Sequence, residues 1–401
     1  MEERVLRHAS PVLPFASREP VRPVNWHRLG RRVFLGGAFI AAAVQLDHSA
    51  HSTEYGLDFL GGTWHAGKAL LAGLSPYPPP ETGPALLHAS SGFMTPPPLA
   101  LIGIPFSLLP FWAAVTMFNL LCAGALVAAL RTLGVTDRRL YLLALCSFPF
   151  VSSLALGQPD GLFALAAACA WRWRDDPWRG GVAAGALIAA KLLAWPLVIW
   201  LLVTRRHRQA GVTAGSAMAM LVGSWALIGF KGMAAYPRLL ADDTTTYVYK
   251  SHSLASGFMH LGLSSHTAVA LTLVSAAAIA AAVVRIARGS DAGWFTAALL
   301  GGVLVSPIVW DHYLVLAFIC LAAIRRLRDP VSWVLVAALW ACPVENPATL
   351  WQAWLVPVIA CALALRAGYL SRCPRLAPPP GLVGSSPGPA PTIESWPAAG
   401  S

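Results

Sequence analysis

Apolar runs of roughly 15 to 22 residues recur along the whole chain, with most basic residues gathered between alternate runs. No other feature constrains the fold as much, because such a segment is stable only in a bilayer or deep inside a helical bundle. Composition agrees. Of 401 residues, 56% are hydrophobic and 12% charged, against about 25% charged in an ordinary soluble domain. A soluble globular enzyme is excluded, and a mean hydropathy of +0.60 excludes a chain that is disordered throughout. The expectation is an all-α protein, a polytopic transmembrane helical bundle.

Apolar length and arginine placement predict spans at 31–46, 111–130, 139–155, 160–173, 179–191, 192–204, 210–230, 266–284, 292–305, 312–324, 331–343 and 349–366. This gives about 12 spans, with ten as the lower count, inside one transmembrane domain over 31–370. With the N-terminus inside, the inner segments hold every Arg except Arg238, which is 24 of the 29 basic residues; Lys68, Lys191, Lys231, Arg238 and Lys250 remain outside. Lys and Arg favour the cytoplasmic side, so an even number of spans with both termini cytoplasmic is the economical topology. The net charge of +11 then divides into +15 inside and −4 outside, and calls for no nucleic acid. Residues 1–30 read as a basic cytoplasmic segment with no cleavage site behind the first apolar run. Residues 371–401, rich in Pro, Gly, Ser and Ala, read as a disordered cytoplasmic tail.

Residues 47–110 form the first extracytoplasmic loop. Within it, 58–73 has the mixed aromatic, aliphatic and polar character of a helix lying in the membrane interface. Residues 98–109, apolar but only 12 long and interrupted by Pro105, suit a second interfacial or re-entrant piece. Counting them as a crossing would turn every later arginine loop outward.

The polar residues that are not basic topology markers concentrate on the outer face. Asp58 opens the first interfacial helix, where the helix dipole favours an ionised carboxylate able to act as a base; helix capping would explain it equally well. Asp47 ends the first span, where the dipole disfavours a carboxylate, so it is a second candidate. Lys191 interrupts an apolar run, and an ammonium there must either snorkel or meet an anion such as a phosphate. Gln158 sits in a Gly-Gln-Pro-Asp-Gly turn whose glycines and proline explain the turn but not the glutamine. Asp160 follows it. Trp310, Asp311 and His312 lie where one span ends and the next begins, and His65 lies in the first interfacial helix. His48, His51, Glu54 and Asp58 do not make a firm metal-ligand pattern, and the seven cysteines, mostly in apolar runs, lack C-x-x-C spacing. No Walker loop, G-x-S-x-G elbow or H-E-x-x-H is present, which argues against nucleotide and serine hydrolysis.

Taken in order, Asp58-Phe59, Gly73-Leu74-Ser75-Pro76-Tyr77, Thr95-Pro96-Pro97-Pro98-Leu99, Leu156-Gly157-Gln158-Pro159-Asp160, Ala190-Lys191 with Pro196, and Ser306-Pro307 through Trp310-Asp311-His312 resemble glycosyltransferase family 87 of the GT-C superfamily over roughly 30–330. Two positions depart from the family pattern: Asp160 stands where Asn is usual, and Met94 where an aromatic residue is common.

The resemblance implies a GT-C type bundle with a catalytic acid in the first outer loop. It also implies a polyprenyl-phosphate sugar donor, typically mannose and in some members arabinofuranose, with a lipid-linked or glycan acceptor. Such a donor is already activated. The enzyme then needs a base for the acceptor hydroxyl and a cationic clamp for the departing phosphate, with no cofactor required and a divalent metal left open. The expected roles are base for Asp58, with Asp47 as runner-up; phosphate clamp for Lys191 and His312; and sugar or acceptor contacts for His65, Gln158, Asp160, Trp310 and Asp311. Inversion at the anomeric carbon is expected, and membrane lipid would surround the polyprenyl chain. The rival reading is a lipid-linked sugar transporter, which would place its polar groups at mid-membrane in two related halves.

Overall fold

A computed structural model describes residues 26–52, 55–77, 93–342, 347 and 349–372. Residues 1–25 of the basic segment, Glu54, and the tail from 373 onward lie outside the described residues. Every regular element among the described residues is helical.

The outer shell begins with α1 (Trp26–Ala50), a mostly exposed helix. A π-helical stretch, Phe59–Trp64, leads into α2 (His65–Leu71), and α3 (Pro97–Ser107) packs against both. That crossing is close enough to require glycine. A Cβ on Gly67 would strike the backbone of Gly103, and one on Gly103 would strike the backbone of Thr63. The two pieces expected in the first outer loop are therefore helical and pressed together.

The body follows with α4 (Phe111–Thr132), α5 (Arg138–Leu145), α6 (Phe148–Leu156), α7 (Asp160–Arg172), α8 (Pro177–Ala190), α9 (Pro196–Val203), α10 (His207–Leu227), α11 (Tyr236–Tyr247), α12 (Leu254–His260), α13 (Ser265–Ile286), α14 (Asp291–Val305), α15 (Val315–Ala323), α16 (Pro330–Ala338) and α17 (Leu350–Arg372). Each of the twelve segments expected to cross is helical. Five helices, α1, α4, α10, α13 and α17, are long and apolar enough to span a membrane alone, and the pair α5–α6, bent by 54°, makes six. The difference from twelve has a physical source. α7, α8 and α14 have 13, 14 and 15 residues, and α16 has nine, whereas a straight crossing takes about 20.

Polar breaks cause the shortening. Ser147 and Pro149 start α6 afresh after α5. Lys191, in extended conformation, separates α8 from a short 3₁₀ turn at Leu192–Ala194 before α9. Ser306 and Pro307 end α14 ahead of the turn Asp311–Leu314. The broken ends gather at the cavity described below, where irregular backbone lines a polar space. Helices α11 and α12 occupy what the sequence reading treats as loop.

Ion pairs tie the opposite end together. The Asp291 carboxylate accepts from Arg174 Nε at 3.0 Å, Arg206 at 2.8 and 3.0 Å, and Trp200 Nε1 at 2.7 Å. Arg366 pairs with Asp329, and Arg328 with Asp137. Each of these bridges joins residues assigned to the inner side by the charge distribution.

Candidate active site

The site is built from the docking of the segment that follows α1 onto the end of α6. Gly157 ends α6 with φ +74°, a left-handed conformation that glycine adopts without steric cost. The Gly56 amide donates to Ala155 O at 2.7 Å, and a Cβ on Gly157 would reach 2.5 Å from Phe59 Cβ. Phe59 is fully buried against Phe106, Phe111 and Phe118. Trp64 Nε1 donates to Leu109 O, and Asn119, which donates to Leu154 O, also donates to Tyr55 Oη at 3.4 Å. The loop is thereby fixed on both flanks, and Asp58 projects beside Gln158.

Gln158 Nε2 donates to Asp58 Oδ2 at 2.7 Å. Asp58 makes no side-chain capping hydrogen bond, so the capping explanation open from sequence does not describe it. The carboxylate is wetted by the cavity yet surrounded by protein. Burial pushes its pKa above the usual carboxylate range, against the lowering effect of the Gln158 hydrogen bond and of the nearby His312 and Lys191.

The cavity has a volume of about 740 Å³. Asp58, Gln158, Lys191, Trp310 and Asp311 all line it, although they lie far apart in the chain. The Lys191 ammonium sits 3.7 Å from the centre of the Tyr313 ring, and Phe163 lies at 5.6 Å. An aromatic face holds a desolvated cation without neutralising it, so the charge stays available to an anion. Asp160 and His312 stand just behind the wall formed by Pro159, Asp311 and Tyr313. His312 Nδ1 donates to Asp160 Oδ2 at 2.7 Å, and Ser153 donates to the same oxygen at 2.9 Å. His312 Nε2 and Asp311 Oδ2 are buried without a hydrogen-bond partner among the described residues.

Two expected residues are placed elsewhere. The Asp47 side chain is 78% exposed beside His51 and does not line the cavity; Gln45 and Ser49, on the same helix, do. His65 lies against Trp64 at the start of α2 and is also outside the lining. In both cases the helical turn decides: residues two positions along α1, or a few earlier in the π-helical stretch, face inward instead. Among the described residues, no three His, Cys, Asp or Glu side chains gather so as to hold a metal ion.

Several lining residues carry functional groups that the motif reading passed over. Tyr236, Leu240, Asp243, Thr244 and Tyr247 form one face of α11. Their spacing, four, seven, eight and eleven residues from Tyr236, was readable as a helical stripe. Burial raises the Asp243 pKa to about 6. His252, also in the wall, has its pKa lowered by burial. Met94 and Thr95 belong to the wall too. Tyr77 donates to Thr95 O at 3.0 Å and stacks on Trp225, while Tyr236 donates to Met94 O at 3.2 Å. The Thr-Pro-Pro segment is thus part of the wall, and the Ser-Pro-Tyr segment braces it through Tyr77 without lining the cavity.

A carboxylate in a deep cavity, a hydrogen-bond donor fixing it and an aromatic-backed ammonium together suit transfer of a group from an anionic leaving group to a hydroxyl. The model of glycosyltransferase family 87 matches residues 93–309, while no curated protein and no solved structure matches the chain. The matched region takes in the Thr-Pro-Pro segment, the Gly157–Asp160 turn, Lys191 and all of α11; Asp58 precedes it, and Trp310, Asp311 and His312 follow it. With more than half of its length matched and with helices long and apolar enough to cross a bilayer, the chain belongs to glycosyltransferase family 87 and is a membrane glycosyltransferase.

Proposed function

We propose that the protein transfers mannose from a polyprenyl-phosphate donor to a lipid-linked or glycan acceptor on the extracytoplasmic side of the cell membrane, with inversion at the anomeric carbon. The observation that carries the proposal is the placement of Asp58, held by Gln158, in the same cavity as Lys191. Asp58 takes the proton of the acceptor hydroxyl as that oxygen attacks the anomeric carbon. The bond from the anomeric carbon to the phosphate oxygen breaks, and its electron pair leaves on the polyprenyl phosphate. Lys191 stabilises the charge that develops there. The raised pKa of Asp58 strengthens it as a base.

His312, braced by Asp160, supports the phosphate side, and Trp310 and Asp311 contact sugar or acceptor. The inner-side ion pairs at Asp291, Asp329 and Asp137 support a topology with both termini cytoplasmic and the cavity opening outward. A twelve-pass arrangement requires the short helices α7, α8, α14 and α16 to be completed by packing against longer neighbours.

The test is to supply the purified chain in lipid nanodiscs with polyprenyl-phosphate mannose and, separately, the arabinofuranose donor. Mannose transfer that disappears in Asp58→Ala, with membrane insertion unchanged, is expected. Consumption of only the arabinofuranose donor would overturn the sugar assignment, and consumption of neither would overturn the donor class.

A further inference from the structure

α11 brings to the cavity a carboxylate that the transfer chemistry above does not use. Asp243 lines the wall, and its oxygens take no hydrogen bond or ion pair from the described residues. A carboxylate this far desolvated normally finds a cation, and half-buried Asp243 meets none among the described residues. The phenols of Tyr236, Tyr247 and Tyr313 lie near enough to feel its charge. Tyr236 and Tyr247 flank it on the same face, and the Tyr247 ring meets Trp310 edge to face at 6.4 Å. Tyr247 is near enough to feel the charge of both Asp243 and Asp58, so the two carboxylates share its surroundings.

This combination selects a ligand. A phosphate would be repelled by Asp243 and attracted to Lys191, so the anionic donor belongs at the Lys191 pole. An ionised carboxylate accepts hydrogen bonds but donates none, and it therefore suits hydroxyl groups of a neutral polyol. Aromatic faces and edges beside it suit the apolar C–H surface of a sugar ring. Resting on the transfer reaction proposed above, we infer that α11 is the acceptor platform, with Asp243 accepting hydroxyls of a neutral sugar whose ring lies against Tyr247 and Trp310 while another hydroxyl reaches Asp58.

The role is one of binding and specificity, and it should be pH-dependent. Asp243, with its pKa raised to about 6, is ionised at pH 7 and protonated at pH 5. Tyr236, Tyr247, Tyr313, Lys191, Asp58, Asp311 and His252 share the cavity, so only the difference between parent and variant isolates Asp243.

The experiment measures binding of hexyl α-mannopyranoside to the full chain in nanodiscs at pH 7 and pH 5, for the parent, Asp243→Asn and Asp243→Glu. Loss of hydrogen bonds to a charged acceptor predicts binding about 10-fold weaker in Asp243→Asn at pH 7. The gap should close at pH 5, and Asp243→Glu should recover part of the affinity. In turnover with polyprenyl-phosphate mannose, the acceptor KM should rise in Asp243→Asn while the donor KM stays near that of the parent. Equal binding by parent and Asp243→Asn at pH 7, or no binding by the folded parent, would overturn the inference. Binding that follows these rules in a chain that transfers no sugar would overturn the proposed reaction and leave the polyol site standing.

Discussion

Replacing Gln158 with leucine removes the only side-chain hydrogen bond given to Asp58 among the described residues while nearly conserving volume. That bond, at 2.7 Å, favours the ionised carboxylate, so its loss must raise the Asp58 pKa further. A hydrogen bond to a charged group is worth about 1.5–3 kcal/mol. Because the carboxylate opens onto the cavity, water replaces part of it and the lower end applies. At about 1.4 kcal/mol per pKa unit, the shift is about one unit upward. The base is active only when ionised, so the acid limb of donor kcat/KM against pH should move up by about one unit. Below the limb the variant should be about 10-fold slower, and well above it the two rates should converge unless Gln158 also touches the sugar. A lowered plateau would report such a contact without altering the position of the limb. Gln158→Glu sharpens the test by placing a second carboxylate beside the first. Both cannot ionise cheaply, and the limb should move further in the same direction. A limb that stays in place, or moves toward acid, would refute the assignment of Asp58 as the base held by Gln158.

Two further outcomes concern the framework. Gly157→Ala should destabilise the protein by about 2–4 kcal/mol, because alanine is strained at φ +74° and its Cβ would strike Phe59; transfer should fall more steeply than thermal stability, and a variant with parental melting and turnover would show that the loop docks otherwise. Asp291→Ala strips two guanidinium groups and an indole N–H of their shared acceptor, and for a partly exposed cluster a loss of about 2–3 kcal/mol is expected, read as a lower Tm in nanodiscs with donor KM unchanged.

The sequence reading placed helices well and placed their lengths poorly, for one reason. Apolar composition reports which residues avoid water, and it does so equally for a full crossing and for half of a broken one. Residues 139–155 read as one span, yet Ser147 and Pro149 restart the helix inside it. Charge sorting carried more information. It grouped Arg174, Arg206, Asp175 and Asp291, which are bonded to one another although they are separated by up to 117 positions. The 12 residues of α11 are too polar to look like a span, and the stripe from Tyr236 to Tyr247 emerges only when helical period is read in a segment whose composition marks a loop. Helix-end position ranks Asp58 above Asp47, but neither charge nor position along the chain shows which of them faces the cavity. Only the direction of the helical turn separates them, and that depends on how α1 and the π-helical stretch seat against α6.

The turn at 156–160 explains why weak motifs in this chain carry function only together. Its residues do three different jobs within five positions. Gly157 leaves room for Phe59 and takes the left-handed conformation, so the first loop can approach. Gln158 then meets the carboxylate that this approach delivers. Pro159 and Asp160 start α7, and Asp160 turns the other way to hold His312, more than 150 positions downstream. Each residue alone has an ordinary explanation as turn, cap or polar surface. Once the chain is folded, however, the turn joins the segment after α1 to the segment after α14, and the cavity lies between them. A substitution at any one of these positions therefore acts on two distant segments at once, and its effect on transfer should exceed what the lost local contact alone would cost.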